Sequence, residues 1–224
     1  MDRLYPIFLK LTGVPCLVVG GGAVATRKVQ SLLAAGAEVT VISPACTEEL
    51  LAWAEAARIT LKRRRAEPDD VHGFRLVFCA TDDPAANQAL AQAATAAGAL
   101  VNVADSPGLS SFFVPAVVNR ERLQIAISTQ GAGPALAKRI RRQLEEYFGP
   151  EYDLVLAVEA FLRPLIIEAI PEADRQAVFG RLAECLPELC RTAATPEELR
   201  QELAQLLKIP LSSDFAQLVS RFFR

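Results

Sequence analysis

The stretch Cys16-Leu17-Val18-Val19-Gly20-Gly21-Gly22-Ala23-Val24-Ala25-Thr26-Arg27-Lys28 decides the fold, because an apolar run meets a glycine cluster and helical periodicity then begins. It reads as strand, tight turn, helix. Gly20, Gly22 and Ala25 occupy the three small positions of G-x-G-x-x-G/A, a pattern that lets a pyrophosphate approach backbone N–H groups at a helix N-terminus. A side chain at Gly22 would block that approach, and Ala23 and Val24 open the helix at the same point. Val29, Leu32 and Leu33 continue at helical spacing, and after Gly36-Ala37-Glu38 a new strand reads Val39-Thr40-Val41-Ile42. The context favours a dinucleotide-binding turn over a plain glycine-rich βα turn.

Working outward, the 224 residues suit one nucleotide domain with a smaller appendage. A formal charge of −2 gives no global attraction to nucleic acid or to an anionic membrane, so an anion site must be a local basic cluster and the partner a small molecule. The five cysteines include no C-x-x-C, and only His72 is present to help build a metal site, so no metal is expected. Free thiols, with no signal-like or membrane-length apolar run, fit a cytoplasmic protein.

Before the glycine turn, Leu4-Tyr5-Pro6-Ile7-Phe8-Leu9 reads as an edge strand or an extended lead-in. After the second strand comes Ser43-Pro44-Ala45, where many NAD-binding folds carry an acid for the ribose hydroxyls. Ser43, or backbone groups at Pro44 and Ala45, must serve the adenosine instead. No arginine follows directly to hold a 2′-phosphate, so NAD is expected over NADP. The run Lys62-Arg63-Arg64-Arg65 reads as a solvated edge. Leu76 to Ala80 is a fully apolar strand, followed by Asp83 as N-cap and Pro84 at the first helical position. Ligands in an open parallel sheet sit beyond the strands' carboxyl ends, which puts Thr81 and Asp82 beside the dinucleotide unless they only cap. The strand Leu100 to Ala104 carries Asn102 and ends in Asp105-Ser106-Pro107-Gly108. Asp105 is either a turn former or a functional carboxylate.

From Phe113 the pattern changes to two apolar strands joined by the four-residue turn Asn119-Arg120-Glu121-Arg122. A hairpin cannot cover both of its faces, which points to a dimer. Ser128-Thr129-Gln130-Gly131 then leads into a helix from Pro134 whose Lys138, Arg141 and Arg142 stand at i, i+3 and i, i+4 spacing. These cations suit carboxylates, although Glu145 and Glu146 offer intrahelical pairing. Beyond Gly149-Pro150 the chain reads as helices punctuated by Pro171, Pro187, Pro196 and Pro210, with Thr195-Pro196-Glu197-Glu198 as a capping box.

Together, Gly20 to Ala25 with Arg27-Lys28, Ala80-Thr81-Asp82-Asp83 with Asn87, Asn102-Val103-Ala104-Asp105, Phe113-Val114-Pro115-Ala116, and Ile127-Ser128-Thr129 before Gly131 resemble the precorrin-2 dehydrogenase family. The same unit forms the N-terminal module of sirohaem synthases. The resemblance implies an α/β fold: a Rossmann-like NAD-binding domain over 1–112, a β-hairpin dimerisation and substrate segment over 113–148, and a helical domain over 149–224. It implies NAD-dependent oxidation of precorrin-2 to sirohydrochlorin by a homodimer, with iron insertion as a second activity in some members. Asp105 falls on the family's catalytic aspartate. The cofactor would lie on Gly20, Gly22, Ala23, Val24, Ser43, Pro44, Ala45, Thr81, Asp82 and Asn102. The tetrapyrrole's carboxylates would lie on Ser128, Thr129, Gly131, Lys138, Arg141 and Arg142. Gly133 and Thr129 depart from serines common in the family. The competing reading is a non-catalytic NAD-sensing module, which would need neither Asp105 nor the basic helix.

Overall fold

The computed structural model describes residues 4–223; residues 1–3 and 224, which the sequence division assigned to its first and last segments, lie outside the described residues. The chain divides into two compact units, up to Val114 and from Pro115 onward.

In the first unit the apolar runs become β1 (Pro15–Val19), β2 (Glu38–Ile42), β3 (Thr60–Lys62), β4 (Leu76–Cys79) and β5 (Leu100–Val103). They pair in parallel in the order β3-β2-β1-β4-β5. Helices α1 (Ala23–Ala34), α2 (Glu48–Glu55) and α3 (Pro84–Ala96) connect them. Strand alternation sorts the core into two layers. Cys16 and Val18 pack with Val29, Leu32 and Leu50 on one face, while Leu17 and Val19 pack with Leu90, Ala91 and Ala94 on the other. Each fully buried aliphatic side chain contributes about 1.5–3 kcal/mol. The strand order reverses beside β1, so β2 and β4 leave their carboxyl ends on either side of the glycine turn, where ligands of such sheets lie.

Leu4 to Leu9 forms no strand: residues 4–10 are exposed and carry no regular structure.

In the second unit β6 (Ala116–Asn119) and β7 (Gln124–Ile127) pair antiparallel, with Asn119 opposite Gln124. The turn is therefore Arg120 to Leu123, one residue later than its polarity suggests, because the Arg120 N–H donates to the Leu123 carbonyl at 2.8 Å. Phe113 to Pro115 lie outside the strand. Helices α4 (Pro134–Tyr147), α5 (Glu151–Ala169), α6 (Glu172–Thr192), α7 (Pro196–Leu207) and α8 (Ser213–Val219) follow. The hairpin is tied to α4 and α5. The Arg120 guanidinium donates to the Glu145 and Phe148 carbonyls at the end of α4, and the Glu121 N–H donates to Asp153. Hairpin and helical tail thus share one unit. Pro187 lies inside α6, as Pro164 lies inside α5, so neither ends a helix. Thr195 caps α7 by accepting from the Glu198 N–H at 3.1 Å, but the Glu198 carboxylate reaches Ala194 rather than closing the box on Thr195. Among the described residues, no helix is long and apolar enough to cross a membrane.

Candidate dinucleotide and carboxylate sites

Each of the three glycines after β1 is small for a different reason. Gly20 has φ +122°, and a Cβ there would lie 2.3 Å from the Ala80 carbonyl oxygen at the end of β4. A Cβ on Gly21 would lie 1.9 Å from the Ala45 carbonyl oxygen, beyond the end of β2. Gly22 has an extended backbone, φ −85°, and no atom lies within 4 Å of where its Cβ would be. The fold therefore has no need of glycine at 22; the open volume lies at the N-terminus of α1, where the first-turn N–H groups have no intrahelical acceptor. This is the cradle a dinucleotide's pyrophosphate requires, and the residues fit that group. Ala25 is fully buried beneath it, and the Thr26 hydroxyl donates to the Gly22 carbonyl at 3.1 Å and meets the Thr47 hydroxyl at 2.9 Å. That contact joins α1 to the cap of α2.

On the β2 side, Ser43 is buried, and its hydroxyl donates to the Ala45 carbonyl at 2.7 Å. Ser43 shapes the turn, while Pro44 and Ala45 are exposed beside it. On the β4 side, the buried Asn87 organises Thr81. Its Oδ1 accepts from the Thr81 hydroxyl at 2.7 Å and its Nδ2 donates to the Thr81 carbonyl at 2.9 Å. Asp82 is exposed, and Asp83 caps α3 through Ala85 and Ala86. Gly21 and Asn87 are not among the site residues read from sequence, although both belong to the family signature. Gly21's role depends on a contact with residue 45 that no local pattern announces.

Asn102 lies on β5 opposite Phe78, and its Nδ2 donates to the Phe112 carbonyl at 3.0 Å, drawing the chain back along the strand. Asp105 follows in the left-handed conformation, φ +57°, and is exposed. The turn's internal hydrogen bonds come from other groups. Ser106 N–H donates to Val103, and the Ser110 hydroxyl donates to the Ser106 carbonyl while accepting from the Val103 N–H. The Asp105 carboxylate is left out of them. Lys28, from the family signature, lies 5.7 Å from the centre of the Phe78 ring, and burial, with Arg27 nearby, lowers its pKa. Burial pushes the Cys16 thiol up to about 11 and the Cys79 thiol up to about 12, so both stay protonated.

In the second unit the loop before α4 is wound by its own side chains. Ser128 accepts from the Gln130 N–H at 3.1 Å and Thr129 from the Gly133 N–H at 3.3 Å, while Gln130 and Gly131 adopt φ of +53° and +80°. Gly133, the N-cap of α4, offers no side-chain acceptor, so the first-turn N–H groups remain available. Lys138 and Arg142 are exposed one turn apart. Arg141 is instead engaged by Glu145, so the intrahelical pairing claims one of the three cations.

An NAD(P)-binding family profile matches residues 7–116, and the profile of the central region of sirohaem biosynthesis proteins matches residues 120–147. The chain is 44% identical over 172 residues to the siroheme synthase of Methylococcus capsulatus, covering 77% of this chain and 36% of that protein. It is 36% identical over 211 residues to the siroheme synthase of Ectopseudomonas mendocina, covering 92% of this chain and 44% of that protein. The chain thus spans little more than a third of the length of the first of these relatives. A solved structure of SirC, a precorrin-2 dehydrogenase, superposes with a TM-score of 0.73 at 30% identity, covering 92% of this chain and 100% of that one. With a glycine turn built for a dinucleotide and a match along the whole of SirC, the chain belongs to the precorrin-2 dehydrogenase family, an NAD-binding family of sirohaem biosynthesis.

Proposed function

We propose that this chain oxidises precorrin-2 to sirohydrochlorin with NAD as the acceptor. The observation that carries this reading is the carboxyl edge of one sheet, which bears both the open helix N-terminus at Gly22 and the uncommitted carboxylate of Asp105. When bound there, NAD supplies the two-electron acceptor. Ala23 and Val24 hold its pyrophosphate through their backbone N–H groups, and Thr81 and Asp82 flank it. As a hydride leaves the tetrapyrrole a proton must leave too, and Asp105 takes it as general base. Lys138 and Arg142, with the backbone donors of the loop over 128–133, hold the substrate's carboxylates through charge-assisted hydrogen bonds. The protein works as a homodimer built on the hairpin, whose Val117 is 37% exposed on a strand of an isolated two-stranded sheet. Iron insertion belongs to the same reading, with Asp105 accepting pyrrole protons.

The test is anaerobic incubation with precorrin-2 and NAD, following the sirohydrochlorin spectrum and NADH fluorescence together. Equal formation of both products is expected. NAD binding without turnover would favour the sensing module instead. Adding Fe²⁺ to the completed reaction reads the second activity.

A further inference from the structure

The basic run Lys62-Arg63-Arg64-Arg65 stands beside the adenosine end of the dinucleotide site. β3 pairs with β2, Lys62 lies opposite Ile42, and the Ser43 N–H donates to the Lys62 carbonyl at 3.1 Å. Neighbouring strands are about 4.8 Å apart, so Arg63 is within a side chain's length of the position after β2 where an adenosine ribose lies. The same carbonyl accepts from the Arg64 N–H at 3.0 Å, a tight turn with Arg63 exposed at its apex.

The four cations are not equivalent. Asp70 clasps Arg64 through both oxygens, with one N–H donating at 2.6 Å, and that arginine also donates to the Arg65 carbonyl. Lys62 and Arg63 form no ion pair among the described residues. Ser43 stands where an acid would exclude a 2′-phosphate, and its hydroxyl is committed to Ala45. The next carboxylates along the chain, Glu48 and Glu49, lie in the first turn of α2, beyond the Thr47 cap.

Resting on the dinucleotide reading above, we propose that this site accepts a 2′-phosphate as well as a free 2′-hydroxyl, with Arg63, supported by Lys62, as the group that binds it. The chain then uses NADP alongside NAD. The residues that directly follow β2 hold no arginine for a 2′-phosphate, whereas Arg63 comes from the neighbouring strand.

Calorimetric titration with 5′-AMP, 2′,5′-ADP and 3′,5′-ADP, alongside NAD, tests this. 2′,5′-ADP should bind no more weakly than 5′-AMP, from which it differs only by the 2′-phosphate, and more tightly than 3′,5′-ADP. In Arg63→Ala the ratio of the 5′-AMP and 2′,5′-ADP Kd values should shift about tenfold toward 5′-AMP, the worth of one charge-assisted hydrogen bond. Lys62→Ala should shift it in the same direction by less. Weaker binding of 2′,5′-ADP than of 5′-AMP, an equal gain by 3′,5′-ADP, or an unmoved ratio in Arg63→Ala would overturn the proposal. Binding of neither NAD nor any of the three nucleotides would remove the dinucleotide assignment itself, and this proposal with it; binding of NAD and 5′-AMP without 2′,5′-ADP removes only the 2′-phosphate site.

Discussion

A methyl group added to Gly21 would sit 1.9 Å from the carbonyl oxygen of Ala45, whereas one added to Gly22, the next residue, would meet nothing within 4 Å. Adjacent glycines thus separate folding from binding. Gly21→Ala should destabilise the first unit by about 1–3 kcal/mol, the usual cost of overpacking a tight site, read as a lower urea midpoint. Gly22→Asp should leave stability unchanged or raised, because aspartate is a favoured N-cap and the backbone there is extended. Its charge in the pyrophosphate position should abolish measurable NAD binding by calorimetry. Intact NAD affinity in Gly22→Asp would remove the glycine turn from the cofactor site.

Asp105 is best tested with asparagine. At φ +57° an alanine carries the ordinary left-handed penalty of about 1–2 kcal/mol, so Asp105→Ala mixes a folding defect with loss of the base. Asparagine tolerates that conformation and keeps the shape. Asp105→Asn should keep the wild-type Tm and NAD affinity while dehydrogenase kcat falls about 10²- to 10⁴-fold. Near-normal turnover in Asp105→Asn would leave the residue as a turn former only.

The basic helix should divide by what each cation already touches. Arg142→Ala and Lys138→Ala, both at exposed positions, should each raise KM for the tetrapyrrole by about tenfold through loss of a charge-assisted hydrogen bond. Arg141→Ala should matter less, because Glu145 holds that guanidinium. Steady-state kinetics on the three variants decides it, and an equal loss in all three would refute the division.

Light scattering at micromolar concentration should give a dimer. Val117→Glu, which places a charge on the hairpin's exposed side, should give a monomer whose melting temperature depends less on concentration. A wild-type monomer with full activity would show that the hairpin needs no partner.

Arg64 beside Asp70 holds that carboxyl at about 2, below its ordinary 3.8. A depressed folded value stabilises the protein fully above the unfolded value and is lost as pH falls through the folded one. The clasp should therefore weaken from about pH 4 down to about pH 2. Asp70→Asn should flatten the acid limb of the stability curve over that window. The effect is small because Arg64 is exposed to solvent. Parallel curves for the two proteins through this window would show that the pair contributes nothing.

The sheet was legible because its strands are nearly continuous apolar runs bounded by glycine or capping signals, as at Val19-Gly20 and Cys79 to Pro84. The hairpin register was legible only to within one residue, since Asn119 looks like a turn residue yet pairs with Gln124. Contacts made across the fold left no local signal. Arg120 closing the end of α4, Gly21 against Ala45, and the Ser43 N–H on the Lys62 carbonyl all depend on partners far away in sequence. Pro187 reads as a helix break for the opposite reason: a proline is a strong local stop, but packing of Leu182 and Leu186 carries α6 through it, as Leu162 and Ile166 carry α5 through Pro164.

The grip of Asn87 on Thr81 bears on the thermodynamics of nucleotide capture. One buried amide fixes the carbonyl, the hydroxyl and, more loosely at 3.4 Å, the N–H of the residue where β4 gives way to its loop. Asp83 pins the next residues and Thr26 pins the opposite wall to Thr47. The rim is thus ordered before anything arrives, so binding need not spend its enthalpy on freezing a loop. Its entropy should reflect released water and the ligand's own lost freedom, and association should proceed without a slow conformational phase.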